Sequence, residues 1–189
     1  MLYRWVRHSR RFQGQRWFAA ASLGRPTDKT YWVVQDKLLA GAHPVDPDAS
    51  EEARREQLRA YLEHGVRVFV DLSGTDPSYE SLLEEEATKM GIDGVAYHGR
   101  PIKSVPATED MKEILNVVEE GVNKDKTTYV HCNGGVGRTG TVVGCYLARN
   151  GTTNAAEEVN RLFQSAAQSA KGKAPEKQKQ IDFVNSWEE

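Results

Sequence analysis

Cys132 and Arg138 stand six residues apart, with four glycines in and beside the interval, in the segment His131-Cys132-Asn133-Gly134-Gly135-Val136-Gly137-Arg138-Thr139-Gly140. Glycines at that density allow a turn whose backbone N–H groups converge on one point. The residues that follow, Thr141 to Leu147, have the composition of a helix, whose N-terminus adds its positive end to the same point. Arg138 sits on the first turn of that helix and offers a planar fork for two oxygens. The segment is a cradle for an oxyanion, with amides from Asn133, Gly134, Gly135, Val136 and Gly137 and a nucleophile at its base. Such a field favours thiolate over thiol, and cysteines so placed ionise below their ordinary range.

The pattern His-Cys-x-x-Gly-x-x-Arg-Thr resembles the signature loop of the cysteine-dependent protein tyrosine phosphatases, and the short chain is most similar to their dual-specificity, or atypical, branch. The likeness extends over roughly Lys37 to Gln164. It implies that Cys132 becomes a phosphocysteine while Arg138 holds the phosphoryl oxygens. It further implies that Thr139 hydrogen-bonds the cysteine sulfur and that His131 orients the loop. No cofactor or metal is implied, and the partner is a phosphorylated protein or a small phosphoester.

The elements that must position this loop read as alternating strands and helices. Thr30 to Val34 and Lys37 to Ala40 predict two short strands, and Val66 to Asp71, Gly94 to Tyr97 and the apolar run before Cys132 predict three more. Helices are expected over Ala49 to His64 (capped by Asp48), Ser78 to Met90, Thr108 to Val122, the loop helix to Asn150, and Asn154 to Gln168. The Lys-rich stretch Lys171 to Lys179 is expected to fray before a last short helix. Alternation of this kind predicts an α/β fold with a central, largely parallel sheet flanked by helices. Ligand sites in such sheets lie beyond the carboxyl ends of the strands, where both Cys132 and Asp71 belong.

The 189 residues suit one domain, and 39% hydrophobic with 28% charged residues is the balance of a soluble globular protein. A net charge of −2 gives no argument for nucleic acid. Two cysteines make no disulfide framework, and a nucleophilic thiol needs a reducing compartment, so a cytoplasmic location is expected. No apolar run approaches a membrane span. Met1 to Thr27 holds six arginines and no acidic residue, which leaves −8 on the remaining 162 residues. Residues 1–29 are therefore expected to form a basic arm packed on an acidic phosphatase domain, 30–189. Ser9-Arg10-Arg11-Phe12 faintly resembles a twin-arginine signal, but the apolar stretch after it is only seven residues long.

Rival readings fail on context. Gly135-x-Gly137-x-x-Gly140 is literally a dinucleotide fingerprint, yet its helix leads into another helix rather than into a second strand. A Walker-type loop needs a Lys-Ser/Thr pair that is missing. Low-molecular-weight phosphatases and arsenate reductases carry their Cys-x5-Arg loop near the N-terminus, not two-thirds along the chain. A phosphate-binding module without turnover remains as an alternative. Cys145, on the apolar face of the loop helix, reads as core. His43, His64 and His98 lack metal-ligand spacing and read as surface or capping residues.

One departure from the family matters. Its general acid is an aspartate ahead of a Val-Pro, whereas this chain has Pro101-Ile102-Lys103-Ser104-Val105-Pro106, with no acid in it. General acid catalysis is typically worth about 10²–10⁴-fold. Asp71 is the candidate chosen to replace it, ahead of Asp76, Glu109 and Asp110, with no side-chain acid as the remaining possibility. The last two already suit a helix N-terminus through its dipole. The absence of lysine from Asn133 to Gly137 favours phosphotyrosine over inositol phosphates or phosphoinositides as substrate.

Overall fold

The computed structural model describes residues 24–75 and 78–188. In chain order the elements are β1 (Thr30–Val34), β2 (Leu38–Gly41), α1 (Glu51–Glu63), β3 (Val66–Asp71), α2 (Glu80–Lys89), β4 (Ala96–Gly99), α3 (Thr108–Asn123), β5 (Thr127–His131), α4 (Gly137–Arg149), α5 (Ala155–Phe163) and α6 (Gln178–Asn185). The strands form one sheet in the order β1-β2-β5-β3-β4. Only the β1–β2 hairpin is antiparallel, and β2–β5, β5–β3 and β3–β4 are parallel. The expected α/β architecture with a largely parallel sheet is the one observed.

Strand alternation divides the core in two. Side chains one residue apart on a strand point to opposite faces. Val68 and Val70 of β3, with Val130 and Cys132 at the end of β5, therefore join Met111, Leu115 and Val118 of α3 and Val142 of α4 on one face. Phe69 and Tyr129 face the other way, onto Leu58 and Leu62 of α1 and Leu83 of α2. The chain thus carries Cys132 onto the α4 side and sends its neighbour His131 to the α1–α2 side. Helices α1 and α2 are fastened by Glu86, only 2% exposed, which pairs with Arg55, Arg59 and Lys89 at 2.7–2.9 Å. A carboxylate so enclosed is held well below its usual range, at about 2, chiefly by the hydrogen bonds from Lys89 and Arg59.

Three expectations are revised. Helix α1 is capped by Ser50, whose hydroxyl accepts from the Ala53 N–H at 3.3 Å, not by Asp48. The single helix expected from Asn154 to Gln168 is two pieces, α5 and a 3-10 turn at Ala167–Lys171. Between them Ala166 is extended, and the chain before β1 docks into the break. Arg25 donates to the Ser165 carbonyl at 2.6 Å, and the Asp28 carbonyl accepts from Ala167 N–H at 2.8 Å. This docking is the described part of the basic arm; residues 1–23 lie outside the described residues. The Lys-rich stretch does not fray where it matters. Ala174 and Pro175 are buried against the start of α4, 3.1–3.2 Å from where a side chain at Gly140 would begin.

Candidate active site

The cysteine loop is built by close packing at its back. Gly135 has φ +68°, and a Cβ there would lie 2.3–2.5 Å from the backbone of Gly41 and Ala42, so only glycine fits. The His43 N–H donates to the Asn133 carbonyl at 3.0 Å, and the Leu72 N–H to the His131 carbonyl at 2.8 Å. Cys132 is 3% exposed at the base of this turn. The Thr139 hydroxyl, on the first turn of α4, lies 3.2 Å from Cys132 Sγ and donates to it. Arg138 Nη1 donates to the carbonyls of Leu72 and Ser73 at 2.8 and 2.9 Å. Those two bonds fix the guanidinium plane in advance, which lowers the ordering cost of gripping an anion.

His131 supports the loop from the opposite face of the sheet. Burial pushes its pKa down to about 3 against the pull of Asp71, so the ring is neutral at neutral pH. The Tyr79 hydroxyl, itself kept protonated by burial, is hydrogen-bonded with Nε2 at 2.7 Å. The other ring nitrogen, Nδ1, faces Asp71 Oδ1 at 3.8 Å, longer than a hydrogen bond. His43 is half-buried, not a surface residue, and packs edge-on against both His131 and Tyr79.

Asp71 does not sit at the mouth of the cradle. It is the β-ladder partner of His131 and shares its face, away from Cys132. It is 2% exposed, and its oxygens accept from the Ser73 N–H at 2.7 Å and the Tyr97 hydroxyl at 2.9 Å. Burial alone would raise its pKa, but His131 once it is protonated in acid, and the hydrogen bonds from Ser73 and Tyr97, outweigh it and hold the carboxyl below the usual range. An ionised, enclosed carboxylate behind the loop is an anchor, not a proton donor. Among the described residues, His43, Asp71 and His131 bring their ligating atoms within 4.8 Å of one another. With Asp71 and His131 Nε2 already hydrogen-bonded, the trio is a support for the loop.

This support makes a pH prediction. In the unfolded chain the histidine takes a proton near 6.5, whereas the folded ring resists it down to about 3. The unfolded state then binds more protons, so stability falls as pH drops from 6.5 toward 3. Asp71 acts in the same direction, because its stabilisation is lost as pH falls through its lowered folded value. Melting temperature should decline across that interval, and less steeply in His131→Asn. A wild-type profile flat between pH 7 and 4 would refute the assignment.

The mouth of the cradle is a cavity of about 390 Å³ lined by Cys132, Gly134, Val136, Gly137 and Arg138, together with Ile102, Lys103 and Ser104 and with Glu176, Lys177 and Gln180. Glu176 and Lys177 come from the segment read as frayed, and Gln180 from the last short helix after it. Their only advance signal was the apolar pair Ala174-Pro175 among lysines. Gln180 is buried and straps the wall together, donating to the Ser104 carbonyl at 2.8 Å and accepting from the Lys177 N–H at 3.0 Å. Neither Glu109, paired with Lys112 at 3.1 Å, nor Asp110 lines this cavity. Asp76 lies outside the described residues. Cys145 is fully buried, and burial pushes its thiol up to about 12, which suits a core residue. A larger cavity of about 720 Å³ beside α5 and α6 holds neither the cysteine nor the arginine.

Comparison with known proteins agrees with this geometry. The family model "Polymorphic toxin system, DSP-PTPase phosphatase" matches residues 45–152, more than half of the chain. The dual specificity protein phosphatase CDC14B of Mus musculus is 41% identical over 135 residues, 68% of this chain and 26% of that protein. The phosphatidylglycerophosphate phosphatase PTPMT1 of Arabidopsis thaliana is 35% identical over 118 residues, 62% of this chain and 32% of that protein. The chain thus spans about a quarter to a third of the length of these two relatives. The crystal structure of Tk-PTP in its active form superposes with a TM-score of 0.61 at 26% identity, covering 84% of this chain and 95% of that one. The chain belongs to the DSP-PTPase phosphatases, the dual-specificity and atypical branch of the cysteine-dependent protein tyrosine phosphatases.

Proposed function

We propose that the protein hydrolyses phosphate monoesters through a phosphocysteine, with protein phosphotyrosine as the leading substrate and phosphoserine or phosphothreonine beside it. The observation that carries this reading is the alignment of Cys132 Sγ, the Thr139 hydroxyl at 3.2 Å and the pre-fixed Arg138 fork around one glycine-rich turn. In the first step Cys132 sulfur bonds to phosphorus as the ester P–O bond breaks, while Arg138 and the loop amides hold the equatorial oxygens. In the second step water bonds to phosphorus, the P–S bond breaks, and inorganic phosphate leaves. Thr139 stabilises the sulfur as leaving group. His131 and Asp71 keep the loop in place and touch neither substrate nor sulfur.

A second reading draws on the wall of the cavity. The loop has no lysine, but Lys103 and Lys177 reach its rim from segments distant in sequence. Two cations there suit a substrate with further acidic groups, such as an inositol phosphate or phosphoinositide, and one relative is named as a lipid phosphate phosphatase. Initial rates on a phosphotyrosine peptide, a phosphoserine peptide and a soluble inositol phosphate separate the two. Phosphotyrosine should give the highest kcat/KM, unchanged by EDTA. A higher value on the inositol phosphate would establish the second reading, and no turnover even of p-nitrophenyl phosphate would leave a binding module.

The organisation proposed is a single phosphatase domain, 30–189, with residues 1–29 as a basic arm that Arg25 begins to clasp onto the domain. Two free buried cysteines suit a reducing, cytoplasmic setting. No helix among the described residues is long and apolar enough to cross a membrane.

A further inference from the structure

We propose that Glu176 is the general acid and base of this site, in place of the aspartate that the Val-Pro loop lacks. The proposal rests on the phosphocysteine reading and names the group that completes it. Glu176 is the one carboxylate among the described residues lining the cavity that holds Cys132 and Arg138. Its Oε2 lies 3.3 Å from where a side chain at Gly137 would begin, directly over the first residue of α4. Gly137 carries no side chain to block that approach.

The position is built rather than incidental. Pro175 and Ala174, just before Glu176, pack on Gly140, and the Ala174 N–H donates to Asn160 Oδ1 at 3.3 Å. Just after it, Gln180 accepts from the Lys177 N–H and donates to the Ser104 carbonyl. The carboxylate is thus tied on one side to the loop helix and on the other to the segment where the family keeps its acid. It is exposed, unlike Asp71, so an incoming ester can reach it. The charged groups sharing its cavity are Arg138, Lys103 and Lys177, with Cys132 at the base.

Protonated Glu176 gives its proton to the ester oxygen as the P–O bond breaks and Cys132 sulfur bonds to phosphorus. The resulting carboxylate takes a proton from water as that water bonds to phosphorus and the P–S bond breaks. Glu176 ends protonated, the thiolate is restored, and inorganic phosphate leaves.

Glu176→Gln tests this against p-nitrophenyl phosphate, whose leaving group departs unaided, and a phosphoserine peptide, whose alkoxide does not. The phosphoserine rate should fall at least about 10²-fold, and the nitrophenyl rate for the first step by less than about 10-fold. The basic limb of the wild-type pH–rate profile should flatten in the variant. In Glu176→Ala, added formate should restore part of the phosphoserine rate. Equal losses on both substrates, an unchanged pH profile, or no rescue by formate would overturn the assignment. Rapid-quench trapping of phosphocysteine in the wild type separates the two claims. Its absence would sink the reaction pathway, whereas its presence, with no leaving-group dependence in the variants, would sink Glu176 alone.

Discussion

Replacing Cys132 by serine should lower turnover of p-nitrophenyl phosphate by at least about 10⁴-fold, roughly 5.4 kcal/mol in the barrier. A serine hydroxyl is a far weaker nucleophile than a cysteine sulfur, so the attacking group is lost while the cradle stays. The amides of Asn133 to Gly137 and the Arg138 fork are untouched, and Gly135 remains locked against Gly41 and Ala42. Vanadate or phosphate affinity should therefore change by less than about tenfold, since neither the helix end nor the arginine has moved. The paired measurement matters, because a misfolded variant loses both activity and anion binding. Serine-variant turnover near the wild-type rate would refute the phosphocysteine route.

Arg138→Lys should lower kcat by at least about 10²-fold, roughly 2.7 kcal/mol of transition-state stabilisation. Lysine keeps the positive charge but gives up the planar fork that matches two equatorial oxygens. It also loses the geometry by which one guanidinium nitrogen bridges the Leu72 and Ser73 carbonyls at 2.8 and 2.9 Å. A single ammonium must choose between those carbonyls and the phosphoryl group. KM should move less than kcat, since charge attraction survives while the stabilisation peculiar to the transition state does not. A near-normal kcat would make the arginine structural.

The clustering of Cys132, Arg138 and Thr139 was legible because they lie within eight consecutive residues, where turn chemistry and helix start fix their relation. The sheet was legible for the same local reason, since β3 and β5 each carry a clear apolar run ended by a polar residue. Asp71 was misjudged because its strand end could be placed but its face could not. That face depends on its pairing with His131, a relation across sixty residues that no periodicity reports. Alternation along Tyr129, His131 and Cys132 did hold the answer once the register was known. Glu176, Lys177 and Gln180 escaped notice because a lysine-rich run resembles solvated chain, and only Ala174 and Pro175, buried on Gly140, anchor it.

The wall at 174–180 lies beyond the segment matched by the family model, which ends at residue 152. On the proposed mechanism, attack by sulfur and transfer of the proton belong to separable stretches of the chain, so exchange of this tail alone should change how strongly the rate depends on the leaving group, with every residue of the cysteine loop unchanged.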